Sequence, residues 1–117
     1  MSSPTSTVSD PVVQDCVDAC TECHEACLTT AQHCLSMGGP HAAPDHIRLM
    51  MDCAQMCAVS TDFMLRGSDI AARLCALCAE VCDLCADSCD ALGGATMKAC
   101  AETCRACADA CREMSEA

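Results

Sequence analysis

Residues 75–89 read CALCAEVCDLCADSC, with cysteine at 75, 78, 82, 85 and 89. Steps of three and four keep side chains on one face of an α-helix. In a helical bundle that face normally carries leucine. Here it carries thiols. The same period runs outward in both directions. Upstream, Cys16, Cys20, Cys23, Cys27 and Cys34 form one row, with Thr30 at the missing step. Cys53 and Cys57 form a shorter row, continued by Ser60 and Met64. Downstream, Cys100, Cys104, Cys107 and Cys111 lead to Met114. One weak repeat thus recurs four times.

Breaks in the pattern set the element boundaries. The first helix is predicted from about Asp10 to Met37, stopped by Gly38-Gly39-Pro40. The second runs from Asp45 to Arg66, with Asp45 after Pro44 as its cap and Gly67 as its close. The third runs from Ser68 or Asp69 to Leu92, and the fourth from Thr96 to Ser115. No segment alternates as a strand does, and Ala, Leu, Met and Glu favour helix. Short connections place successive helices antiparallel. The expected fold is all-α, an up-down four-helix bundle with a cysteine-lined core over residues 12–117. Residues 1–11 are read as a flexible tail. Asp and Glu fall mostly between the cysteines and belong outside, because buried unpaired charge is expensive. The third helix bears a second stripe, Ile70, Leu74, Leu77, Val81 and Leu84. It is read as helix-to-helix packing, with an oligomer surface as the alternative.

Sixteen of the 117 residues are cysteine, and Phe63 is the only aromatic residue of the Phe, Tyr and Trp class. The formal net charge of −11 argues against nucleic-acid binding, which needs a basic face. No apolar run is long enough for a membrane span. The polar start, MSSPTSTVSDP, does not read as a secretory signal, so the expected location is the cytoplasm. Glutathione keeps thiols reduced there, which favours metal over disulfides.

One or two buried cysteines need no function. Sixteen do, because leucine fills a core better and small side chains leave voids. Disulfides within a row would strain the helices, since neighbours lie ~5–6 Å apart at Cβ against the ~3.5–4.5 Å that a bridge requires. Soft thiolates select Cu(I), Zn(II) or iron–sulfur clusters. Cu(I) accepts two or three thiolates. A linear unit spans ~4.6 Å at Cu–S ~2.3 Å, within reach of neighbours in one row. Equal numbers of Cu(I) and thiolate also sum to zero charge. Zinc on four thiolates leaves about −2 at each site. The residues favour multiple Cu(I) ions per chain. A zinc–thiolate buffer and an iron–sulfur redox protein stay open as alternatives. No nucleophile–base arrangement or phosphate loop points to an enzyme.

One end of such a bundle collects His33, Cys34, Met37, His41, His46, Met50, Met51, Cys89, Met97 and Cys100. Thioether and imidazole are weaker Cu(I) ligands than thiolate, so this end reads as a mouth. His33, Met37, His46 and Met50 are its candidate ligands. His24 is placed on the surface. The other end collects Val13, Phe63, Met64, Ile70 and Met114 and reads as plugged.

The stretches LCALCAEVCDLCADSC at 74–89, CAETCRACADACREM at 100–114, HIRLMMDCAQMC at 46–57 and His33-Cys34-Leu35-Ser36-Met37 resemble the bacterial copper storage proteins, in their cytosolic branch. The resemblance covers roughly residues 12–115. It implies Cu(I) storage by paired cysteines, a Met/His-bearing mouth and a tetramer of bundles. All sixteen cysteines are then metal ligands. Copper ions, with a copper chaperone or a small-molecule thiol, are the implied partners. The chain departs from the branch in having His46 where a cysteine can stand. It also has only Gly93-Gly94-Ala95 where a His-rich loop can precede the fourth helix.

Overall fold

The computed structural model of the chain describes residues 10–116. Four helices follow one another: α1 Pro11–Met37, α2 Pro44–Leu65, α3 Ala71–Leu92 and α4 Ala95–Glu116. A 3₁₀ turn, Gly39–Ala42, joins α1 to α2. Each helix packs on its chain neighbours, and α1 also packs on α4. The result is the closed up-down ring that short connections dictate. No strand occurs among the described residues. Among the described residues no helix is long and apolar enough to cross a membrane.

Local chemistry explains the ends. Asp10 caps α1, its carboxylate accepting the Val12 amide at 2.9 Å, and Pro11 fits the first helical position. The expected tail therefore meets the helix at Asp10 and Pro11, and residues 1–9 lie outside the described part. Gly38 and Gly93 close α1 and α3 with φ of 69° and 76°, a region that disfavours side chains. Their amides donate to the carbonyls of Cys34 and Cys89.

Two boundaries differ from the sequence reading. Asp45 does not cap α2. Pro44 takes the first helical position, Ala43 precedes it, and Asp45 lies in the first turn beside Arg48. There its carboxylate still faces the positive end of the helix. α3 starts at Ala71 rather than Ser68 or Asp69. The Ser68 hydroxyl accepts the Ile70 amide at 3.3 Å, holding a turn first.

All sixteen cysteines are buried, and they make up most of the core. Short alanines seal the seams: Ala54 on α2, Ala79 and Ala86 on α3, Ala101 and Ala108 on α4. Outside, Arg105 pairs with Asp87 and Asp90, and Arg112 with Asp83, tying α3 to α4. Exposed pairs of this kind add little energy but fix register. His24 is not on the surface. It is half-buried, and its Nδ1–H donates to the Ala54 carbonyl at 2.8 Å, bridging α1 and α2. The α3 stripe divides. Val81 packs on the core, whereas Ile70, Leu77 and Leu84 are 45%, 47% and 56% exposed. The packing reading therefore accounts for only part of it.

Candidate metal centre

Four helices bring their thiols to one axis, and the sulfurs touch across helices as closely as within them. Cys16 and Cys20 on α1 reach Cys111 on α4 at 3.7 and 3.6 Å. Cys20 lies 3.7 Å from Cys107, and Cys27 3.7 Å from Cys104. Cys53 on α2 meets Cys82 on α3 at 3.7 Å, and Cys57 meets Cys78 at 3.8 Å. Neighbours in one row, such as Cys23–Cys27 and Cys78–Cys82, stand at 3.9 Å. None is a disulfide.

These distances revise the sequence expectation of linear pairs along single helices. With metal–sulfur bonds of ~2.3 Å, sulfurs stand ~3.8 Å apart around a tetrahedron, ~4.0 Å around a triangle and ~4.6 Å in a line. The observed spacing fits thiols converging on shared ions from several helices. A linear pair would have to open by ~0.6–1.0 Å.

Four groups have all their sulfurs within 4.8 Å of one another. They are Cys20/Cys57/Cys78/Cys107, Cys23/Cys53/Cys57/Cys82, Cys23/Cys27/Cys53/Cys104 and Cys16/Cys20/Cys111. Cys20, Cys23, Cys53 and Cys57 each belong to two groups. Cys75, Cys85, Cys89 and Cys100 continue the same buried rows outside these groups.

Cys34 has a different setting. Its Sγ lies 3.3 Å from His46 Nε2 and 3.6 Å from Met97 Sδ. His46 Nδ1 is 2.7 Å from the Ser88 hydroxyl. An Nδ1–H donated to Ser88 turns the Nε2 lone pair toward Cys34, the orientation a soft ligand needs. Removal from water holds His46 below its ordinary value, hence neutral, and pushes the Cys34 thiol up.

The proposed mouth thus splits. Cys34, His46, Met50 and Met97 are buried. His33, Met37 and His41 line an outer hollow of ≈ 310 Å³ that Met97 also borders, and Met37 is 57% exposed. The His33 and His41 rings meet edge-on at 6.4 Å. Sequence reasoning grouped Met97 at this end but left it out of the candidate ligands, although it sits one helical turn before Cys100. Ser88 was missed as well. Its signal was its place at the next step of the α3 stripe, after Leu84. At the opposite end Met64 is buried, and Arg66 covers the Phe63 ring at 4.2 Å.

Residues 9–116 match the model of one family, described as copper storage protein. The chain belongs to the copper storage protein family. The Cu(I)-bound copper storage protein BsCsp3 superposes with a TM-score of 0.83 at 34% identity, covering 89% of this chain and 98% of that one. The metal-free copper storage protein 3 of Bacillus subtilis gives 0.79 at 33% identity, over 87% and 97%. A crystal structure from Nitrosospira multiformis gives 0.88 at 49% identity, over 92% and 98%. A curated Bacillus subtilis relative, the uncharacterized cysteine-rich protein YhjQ, is 35% identical over 62 residues. That match spans 53% of this chain and 57% of the relative. The four-helix fold described above is therefore shared, at high structural similarity, with both a metal-free and a Cu(I)-bound copper storage protein.

Proposed function

We propose that the chain stores many Cu(I) ions on its sixteen cysteines, with loading from the Cys34–His46–Met97 end. One observation carries the stoichiometry: Cys20, Cys23, Cys53 and Cys57 are each shared between groups. A thiolate in two groups bridges ions, which suits polynuclear Cu(I). Zinc sites with four private ligands cannot share them, and at most two of the four groups are disjoint quartets. His46, Met50 and Met97 are the inner mouth ligands on this reading, and His33 and Met37 serve as weaker outer contacts. The role is cytoplasmic storage rather than catalysis, with copper exchanged through a chaperone or a small thiol.

An anaerobic Cu(I) titration of reduced, metal-free protein against a chromogenic chelator tests this. More than about ten ions per chain is the expected result, while zinc should stop at about two. Cu(I) saturation at four or fewer would sink the storage reading.

The exposed Leu77 and Leu84, with Met56 and Val59 around a hollow of ≈ 440 Å³, support a second copy of this chain as the partner on the α2–α3 face. Large apolar side chains exposed on one face stand out on a chain of net charge −11, although Asp52 and Gln55 also line the hollow. Replacing both leucines, Leu77→Glu and Leu84→Glu, is expected to give monomers in light scattering with helix content unchanged. An unaltered oligomer would place the interface elsewhere.

A further inference from the structure

The seam between α1 and α4 is built unlike that between α3 and α4. Arg105 and Arg112 bridge α3 to α4, but no ion pair joins α1 to α4 among the described residues. The α1–α4 seam is lined by short side chains and holds two hollows. The lower, ≈ 220 Å³, is bounded by Ala19, Glu22, Glu102, Thr103 and Ala106 and meets no thiol. The upper, ≈ 390 Å³, is walled by Ala26, Thr29, Ala95, Ala99 and Thr103, with Thr30 and Cys100 also lining it.

Cys100 is 2% exposed, and the other fifteen cysteines are 0% exposed. Beside it Thr30, at 8%, occupies the step where the α1 row lacks a thiol. A buried hydroxyl and a buried thiol thus line a hollow that opens to solvent along the side of the bundle, next to the outer hollow of His33 and Met37, with which it shares Ala95 and Thr96. The wall has its own polarity. Thr29 donates its hydroxyl to the Glu25 carbonyl, and Thr103 donates to Ala99. Their oxygens are left as acceptors. Glu22 and Glu102 stand in the adjoining hollow. The site therefore suits N–H donors and positive charge and disfavours polyanions.

We propose that this hollow is a lateral port through which a small thiol carrying ammonium or amide N–H groups takes Cu(I) from Cys100. The inference rests on the Cu(I)-storage reading for its cargo, while the port itself does not need copper to be detected. The exchange is a ligand substitution without redox change. The incoming R–SH adds its sulfur to the copper held by Cys100 and gives up its proton. The Cu–S(Cys100) bond breaks and Cys100 takes that proton, and each remaining protein thiolate on the ion is displaced by a further R–SH in the same way. Copper leaves as Cu(I) on the small thiol.

Timed alkylation of the reduced, metal-free protein with limiting iodoacetamide, mapped by peptide mass spectrometry, reads the port directly. Cys100 is expected to react first, about tenfold ahead of any other cysteine, because the rest wait for the bundle to open. Ala99→Leu, or Ala26→Leu should the first fail to fold, fills the hollow and should slow that labelling about tenfold, to the rate set by opening. Ala106→Leu, in the lower hollow, should leave it unchanged. Earlier labelling of Cys34, or a filled hollow that changes nothing, would overturn the port.

Loaded protein is then offered cysteamine or glutathione, with released Cu(I) read by a chelator. Cysteamine is expected to be faster, and Ala99→Leu to slow it by the same factor as the labelling. Labelling slowed but transfer untouched would overturn the exit route. Rapid Cys100 labelling with no copper uptake at all would instead overturn the storage reading and leave the port standing.

Discussion

Raising the pH of the metal-free protein past about 9 is expected to unfold it over a narrow range, and copper loading should abolish the transition. The sign follows from burial. Cys34 shows the cause, its thiol pushed above the ordinary 9.0 by removal from water. Burial raises the other buried thiols in the same way, although hydrogen bonds from neighbouring cysteines pull some of them down, Cys85 to about 6 and Cys107 to about 7. An unfolded chain begins to lose thiol protons near 9, while a folded chain that keeps them inside does not. Above that pH the unfolded state binds fewer protons, so stability falls as pH rises. Each thiol that must stay protonated contributes up to ~1.4 kcal/mol per pH unit. Four such thiols supply ~5–6 kcal/mol per unit, comparable with the whole stability of a small domain. Below pH 9 the stability is intact. Copper replaces the protons and leaves nothing to titrate. Far-UV circular dichroism against pH, with and without Cu(I), gives the answer. Helicity of the metal-free form that stays flat to about pH 11 would mean the thiols ionise in place.

The second large effect is expected at a shared thiol. Cys57 Sγ lies 3.8 Å from Cys78 and Cys107 and 3.9 Å from Cys82, and it belongs to two groups. Cys57→Ser removes a soft ligand where those groups meet. Copper capacity should fall by about two to four ions, more than the single ligand lost, since bridged ions lose coordination together. Cys75→Ser, outside the four groups, should lose about one. The hydroxyl placed at 57 would also join that of Ser60, already buried without a partner. A further unpaired hydroxyl costs about 1–3 kcal/mol in the metal-free protein. Chelator competition and a thermal melt on both variants compare the two positions. Equal copper losses would contradict bridging.

The fold was legible because the thiols themselves mark the inward face. Period, glycine breaks and short loops then left one topology. What failed to read was local competition and packing across helices. Pro44 took the first helical position from Asp45 because its ring already has the required φ. In-row arithmetic reaches only residues three or four apart. The meeting of Cys16 with Cys111, or His46 with Ser88, depends on how two helices slide against each other, which no single-helix period encodes. For the same reason the sequence could gather Met37 and Met97 at one end but could not say which turns inward. The division of the α3 stripe into packed Val81 and exposed Leu84 likewise depends on the width of α2 beside it.

Sulfur-to-sulfur contacts of 3.6–4.0 Å join eleven of the cysteines in one connected set, from Cys16 and Cys111 to Cys27 and Cys104. On the storage reading this makes the interior a continuous corridor rather than a series of separate rooms. An ion can advance by gaining one thiolate as it releases another, and it never has to exist bare in an apolar medium. Filling then needs no fixed order, and a port at any point along the corridor serves all of it.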